Sequence, residues 1–268
     1  MTKTADECLT GNYLYGDDFG EQDILKWFRD EENAYYQLTV DSQSKHRCEF
    51  HALNYHYGYR YLKNMRFTHV LGVGSSFGDE LIPVCGQSEH ITILEPANGF
   101  STGEVSHVPV KYVKPLPSGD LPFEDSKFDL ITCFSVLHHI SNVSKVSGEF
   151  FRCLKPGGYA LVREPVVSMG DWRVPRHGLT RRERGIPQRI LRDIFVASGF
   201  RVLKERKCCF SITSRLHHFT RGPVYNNSVI VRLDELMCAL PVWRTTYHAQ
   251  HWYKKLQPTA AFFVLQKA

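Results

Sequence analysis

The chain has 268 residues, 43% of them apolar, which is enough to bury a substantial core, and one domain with embellishments is the expected organisation. No apolar run approaches the roughly 20 residues that cross a bilayer, so no membrane span is expected, and the opening residues lack a secretory stretch. Eight scattered cysteines without a Cys-x-x-Cys argue against a zinc site and a disulfide framework and fit a reducing, cytoplasmic setting, while the net charge of +5 hides ten acids against three bases in residues 1–41, net −7, leaving +12 for the rest.

Residues 21–38 and 44–64 read as helices, the second crowded with aromatics from Phe50 to Tyr61. From Phe67 onward strands alternate with helices, which predicts a parallel sheet covered by helices. Strands are expected at 67–73, 90–95, 109–113, 128–134 and 158–163, with helices near 77–84, 97–104 and 142–154. Residues 164–186 read as a long arginine-rich loop. A helix at 187–198 is started by Pro187 and stopped by Gly199. Strands at 200–205 and 260–265 complete the set. The excursion between them, 211–258, contains a helical stretch near 228–240 and is long enough to be a lid, a pocket wall or a homodimer contact.

The most informative segment is His69-Val-Leu-Gly-Val-Gly-Ser-Ser-Phe-Gly78, a strand breaking into a glycine turn before a helix start. Such a turn brings bare backbone up to a nucleotide-like ligand. Twenty-one residues after Gly74, the strand at 90–94 ends in an acid, Glu95, placed to bind ribose hydroxyls. Further on come Leu121-Pro-Phe123, Phe128-Asp129, Leu137-His-His139 and Leu154-Lys-Pro-Gly-Gly158.

In their order and spacing these pieces resemble the class I S-adenosylmethionine-dependent methyltransferases, in particular the type 11 small-molecule subgroup, over roughly Phe67 to Val202. The resemblance implies an α/β fold: a Rossmann-like, seven-stranded, mostly parallel sheet with helices on both faces and an antiparallel last strand. Residues 1–64 and 211–258 lie outside the resemblance; 1–64 reads as a helical cap or lid ahead of a methyltransferase domain at 65–268, with 211–258 as an inserted lid or substrate segment. S-adenosyl-L-methionine is the implied cofactor, held by Gly72, Gly74, Ser75, Ser76, Gly78, Glu95, Pro96, Asp120, Leu121, Phe134 and Ser135. Two positions depart from the family: Gly72 stands where an acid is usual, and Ser76 replaces the middle glycine.

Methyl transfer needs chiefly alignment, and a base only if the acceptor must lose a proton. His138 is the candidate base, and His139 a pocket residue. Tyr13 and Tyr15, flanked by Gly11 and Gly16, read as a lid over the substrate. Seven arginines within residues 173–192 suggest an anionic acceptor, a small molecule or a glycan such as a nucleotide sugar or surface polysaccharide; Arg163, Arg181, Arg182 and Arg184 are its expected contacts. The bland reading of that charge is a solvated loop and helix face. The histidines at 217, 218, 248 and 251 lack a third ligand at suitable spacing, and no metal is expected.

Three other readings remain open. The glycine turn also suits a nicotinamide oxidoreductase, although no Tyr-x-x-x-Lys follows it. A nucleic-acid methyltransferase would fit the positive charge, but Phe134-Ser-Val-Leu137 stands where an Asn/Asp-Pro-Pro-Tyr-like segment belongs, so nucleic acid is not expected as partner. Gly72 and Ser76 leave room for a non-catalytic scaffold on the methyltransferase fold.

Overall fold

A computed structural model describes residues 3–40, 48–97, 99–218, 222–241 and 245–268. Its strands are β1 (Phe67–Val73), β2 (Ser88–Leu94), β3 (Glu104–Val105), β4 (Val108–Val113), β5 (Phe128–Phe134), β6 (Leu154–Pro165), β7 (Phe200–Phe210) and β8 (Pro258–Lys267). Its helices are α1 (Ala5–Leu9), α2 (Glu21–Val40), α3 (His51–Tyr57), α4 (Ile82–Cys85), α5 (Val143–Cys153), α6 (Gln188–Ala197) and α7 (Ser228–Ala239).

The strands form a single sheet in the order β3-β4-β2-β1-β5-β6-β8-β7. Pairings β4–β2–β1–β5–β6 are parallel, and β8 runs antiparallel to both neighbours. This is the expected fold with one addition, the two-residue edge strand β3 paired to β4. That short pairing occupies the end of the segment where a helix at 97–104 was expected; Asn98 lies outside the described residues. The expected helix at 44–64 is reduced to α3 and a 3₁₀ turn at Tyr59–Leu62, broken at Gly58, and residues 44–47 lie outside the described residues. Pro187 precedes α6 as expected, and Gly199 follows it with φ +101°.

Side chains alternate across the strands and bury two cores, one on each face. Leu71, Val73, Ile131 and Cys133 pack with Val146 and Phe150 of α5 and Leu191 and Phe195 of α6. On the opposite face Val70, Leu130 and Phe134 pack with Leu53 of α3 and Val231 of α7. The α5 positions recur at the three-to-four-residue spacing of one helix face, which is why that segment docks on the sheet.

Helix α2 lies over the carboxyl ends of the strands. Glu21 and Asp23 in its first turn favour the helix start, and Ile24, Trp27 and Phe28 share one face. Trp27 is 1% exposed and its Nε1–H donates to the His139 carbonyl at 2.7 Å, so a side chain from the first thirty residues fixes the loop after β5.

Candidate active site

The chain crosses from one side of the sheet to the other at β1 and β5, the point where open α/β sheets hold ligands. A cleft opens there, between the ends of β1, β2 and β5 and the covering α2. Its walls are largely apolar, with Ile24, Trp27, Phe28, Leu116, Val136 and Ile140 among them. The acidic residues lining it are Glu31, Glu32, Glu95 and Asp120, and among the described residues no Lys or Arg lines it.

Gly74 forms the floor. Its φ is +63°, and a Cβ there would meet Val136 Cγ2 at 2.6 Å, so both conformation and space require glycine. Its N–H donates to the Leu94 carbonyl at 2.8 Å, tying the turn to β2. Ser76 also takes a left-handed conformation, φ +49°, which glycine adopts at less cost. Two bonds hold it there: its N–H donates to Glu95 Oε2 at 3.2 Å, and its carbonyl accepts from Tyr112 OH at 2.9 Å.

Glu95 is 3% exposed, and its carboxylate accepts from the Ser76 and Ala97 N–H groups. Burial pushes it up to about 7 against the pull of those two donors. A carboxylate offers about four lone-pair sites, so capacity remains for a ligand's hydroxyl donors.

Gly72 is packed, not lining. A Cβ there would collide with Ser75 Oγ and approach Leu81 Cδ1 at 2.9 Å, so the usual acid has no room. Ser75 Oγ donates instead to Glu80 Oε1 at 2.6 Å, and burial pushes that partly buried carboxyl up to about 7. Glu80 thus puts a carboxylate beside the position where the family acid is missing, from eight residues downstream.

At the other wall, Glu164 at the end of β6 holds the 136–138 loop. It accepts from the Val136 and Leu137 N–H groups at 2.8 Å each, from His138 N–H, and meets His138 Nδ1 at 2.8 Å. No residue pattern had singled Glu164 out; an acid at a strand's carboxyl end was the available signal.

Of the expected cofactor contacts, Gly74, Glu95, Pro96, Asp120, Leu121 and Ser135 line the cleft, and Ser76 touches it through Glu95. Gly72, Ser75, Gly78 and Phe134 lie in or behind the turn. His138, the expected base, does not line the cleft. Its side chain is buried behind the wall, and although burial opposes the charge, Glu164 and Glu183 outweigh it and raise the imidazole to about 9. At neutral pH it already carries its proton. His139 does line the cleft.

The expected acceptor contacts are also redirected. Tyr15 stacks on Trp172 and packs at a tilt against Trp27, an anchor more than a lid, and Tyr13 lies outside the cleft under Lys3. Arg163 bonds Asn54 and Ser135 and lies 3.8 Å from the centroid of the Phe50 ring, joining α3 to the sheet. Arg182 pairs with Asp30 at 2.8 Å. Arg184 is fully buried and donates to the carbonyls of Tyr15, His138 and Ile140, a local clasp. Arg181 is exposed and outside the cleft lining. The side chains of His217 and His218 lie outside the described residues; His248 Nδ1 meets Ser168 Oγ at 2.9 Å.

A glycine turn, a buried acid after the next strand and an apolar cleft at the crossover are features with which open α/β sheets hold nucleoside ligands. Residues 71–162, about a third of the chain, match the family described as methyltransferase domain. The chain is 31% identical over 105 residues to a ubiquinone/menaquinone biosynthesis C-methyltransferase of Brucella canis, covering 35% of this chain and 38% of that protein. It is 36% identical over 98 residues to sterol 24-C-methyltransferase of Schizosaccharomyces pombe, covering 32% of this chain and 25% of that one. The chain thus spans well under half the length of either relative. Among solved structures, an S-adenosylmethionine-dependent methyltransferase of Mesorhizobium loti superposes with TM-score 0.51 at 12% identity, over 78% of this chain and 95% of that one. The N-methyltransferase NodS of Bradyrhizobium japonicum, in complex with S-adenosyl-L-homocysteine, superposes with TM-score 0.51 at 9% identity, over 87% and 97%. At such identities the likeness speaks for the fold. Among the described residues no helix is long and apolar enough to cross a membrane.

Proposed function

We propose that this chain transfers the methyl group of S-adenosylmethionine to a small-molecule acceptor with an apolar body. The observation that carries the reading is Glu95: a buried carboxylate at the end of β2, with acceptor capacity beyond its two backbone donors, on the wall of an apolar cleft. A ribose diol supplies the missing donors. When bound, S-adenosylmethionine supplies a cationic sulfonium methyl group, and a cleft lined by four acidic residues, with no Lys or Arg among the described residues that line it, suits that charge.

This chain's own work is positioning and exclusion of water. Gly74 lets the backbone approach, Glu95 fixes the ribose end, and Asp120 and Leu121 line the far wall. Ile24, Trp27 and Phe28 of α2 roof the cleft, so this helix acts as its cap. Alignment of this kind supplies about 7–11 kcal/mol of a displacement barrier.

The anionic acceptor suggested by the arginine-rich segment loses its support. Arg173 pairs with Asp171 and Asp6, Arg182 with Asp30, Arg189 with Asp193, and Arg184 is spent on carbonyls. The apolar lining favours a ring or chain acceptor, the kind named for the quinone and sterol relatives, over a nucleotide sugar or polysaccharide. Calorimetric titration with S-adenosylmethionine, S-adenosylhomocysteine and NAD(H) tests the first step, with micromolar binding expected for the first two. Binding of NAD(H) alone overturns the reading. Product formation on quinols and sterols, set beside nucleotide sugars, then tests the acceptor.

A further inference from the structure

One cluster beside the cleft has a geometry that the methyl-transfer reading does not use. His138 and His139 follow β5 with ring centroids 4.1 Å apart. Glu183 comes from the long segment after β6 and brings Oε1 to 3.4 Å from His138 Nε2. One ligand-capable atom from each of the three lies within 4.8 Å of the others.

The 3.4 Å separation suits an ion pair between a protonated His138 and Glu183, and equally two ligands of one ion. It is longer than the 2.7–3.2 Å of an N–H···O hydrogen bond. Two ligands held about 2.0–2.1 Å from a tetrahedral ion stand about 3.4 Å apart, the edge of that tetrahedron. The surroundings carry the second signature of a metal centre, a carboxylate behind each ligating imidazole. Glu164 Oε2 lies 2.8 Å from His138 Nδ1, and Glu31 Oε2 lies 2.9 Å from His139 Nδ1. Glu31 is itself fixed by Thr180 Oγ1, which donates to its other oxygen at 2.9 Å, and Thr180 N–H donates to Glu183 Oε2 at 3.0 Å. The whole set is rigid and mostly buried: the side chains of His138, Glu164 and Glu183 are 5%, 0% and 10% exposed.

We infer that His138, His139 and Glu183 form a binding site for a divalent transition-metal ion of the zinc type, with Glu164 and Glu31 as its supporting carboxylates. Two imidazoles and one carboxylate are the donor set that such ions prefer, and three protein ligands leave one position open. The ion takes the place of the proton on His138, which leaves to solvent. His139 and Glu31 line the cleft, so the site adjoins the space where an acceptor sits. An acceptor oxygen held there would lose its proton more readily; that role, unlike the binding itself, rests on the methyl-transfer reading.

The test uses metal-stripped full-length protein titrated with Zn²⁺ by calorimetry and with Co²⁺ by visible absorption. One equivalent should bind at micromolar concentration or below, with the intense bands of four-coordinate Co²⁺. Glu183→Gln should weaken Zn²⁺ binding about 100-fold, as removing even a supporting residue costs up to that, and His177→Ala, on an exposed loop, should leave it unchanged. No stoichiometric uptake, or uptake indifferent to Glu183→Gln, overturns the site. Should that variant fail to fold, zinc-edge X-ray absorption of the wild-type complex decides: a nitrogen and oxygen shell with two imidazoles supports the site, and sulfur ligands overturn it. Titration of the same samples with S-adenosylhomocysteine separates the two ideas, since cofactor binding without metal uptake removes this site and spares the methyl-transfer reading.

Discussion

Replacing Glu95 by Gln should move ligand affinity and ligand-free stability in opposite directions. The carboxyl is buried and pushed up to about 7 from an ordinary value near 4.5. Between those pH values the folded protein keeps a proton that the unfolded chain has released, so the folded state binds more protons. Stability therefore falls as pH rises across that window and stays low above it. At about 1.36 kcal/mol per pH unit the penalty is of the order of 3 kcal/mol at pH 8. Glutamine carries no charge to desolvate, so ligand-free Glu95→Gln should melt several degrees above wild type at pH 8, by about 2–4 °C per kcal/mol, and close to it at pH 4.5. Binding should change the other way. A ribose diol donates to both oxygens of the carboxylate, and the amide can accept through only one. Losing one hydrogen bond to a charged acceptor costs about 1.5–3 kcal/mol, roughly a 10- to 150-fold weaker Kd for S-adenosylhomocysteine. Scanning calorimetry at both pH values and isothermal titration at pH 8 measure the two effects. A Kd within threefold of wild type, or a variant less stable at pH 8, would refute the assignment.

Gly74→Ala puts a left-handed alanine into the Val136 side chain, and cofactor affinity should fall at least about tenfold, since the strain alone is about 1–2 kcal/mol; unchanged titration would show that the floor is elsewhere. Trp27→Ala should cost about 3–5 kcal/mol in chemical denaturation, because the side chain is buried beneath Arg182 and Arg184 and bonded to the His139 carbonyl; a loss under 1 kcal/mol would mean that α2 is not docked. Glu80 is raised like Glu95, so Glu80→Gln should flatten part of the remaining stability loss between pH 4.5 and 7, read by thermal melts across that range. Arg184→Met should destabilise by about 3 kcal/mol or more, as several buried carbonyls lose their donors, whereas exposed Arg181→Ala should stay within about 0.5 kcal/mol.

Local pattern carried the sheet and half of the cleft. Alternating strands and helices, the Pro187 and Gly199 boundaries of α6 and the glycine turn are written in neighbouring residues, because backbone conformation is decided there. For the same reason Gly74, Glu95 and Ser135 were legible as cleft residues, since each follows a recognisable strand, while Asp120 and Leu121 were legible only through the family resemblance around Leu121-Pro-Phe123. The arginines show where this reasoning stops. Their number gave a charge, but their partners, Asp30 for Arg182 and the carbonyls near residues 138–140 for Arg184, come from segments more than forty residues away.

The two departures from the family pattern also needed three dimensions. Gly72 looked like a lost function until Ser75 and Glu80 were seen to fill its place, and Ser76 like a defect until Glu95 and Tyr112 were seen to hold it. By itself, the sequence determined a Rossmann-like, mostly parallel α/β sheet with a glycine floor and an acid at the end of β2. Tertiary structure alone decided that α2 roofs the cleft, that His138 sits protonated behind its wall, and that Glu31, Glu164 and Glu183 converge on the two histidines. The physical reason is separation along the chain: Glu31 precedes His139 by 108 residues and Glu183 follows His138 by 45, distances that no local periodicity spans and that only the packing of α2 and the long segment against β5 and β6 closes.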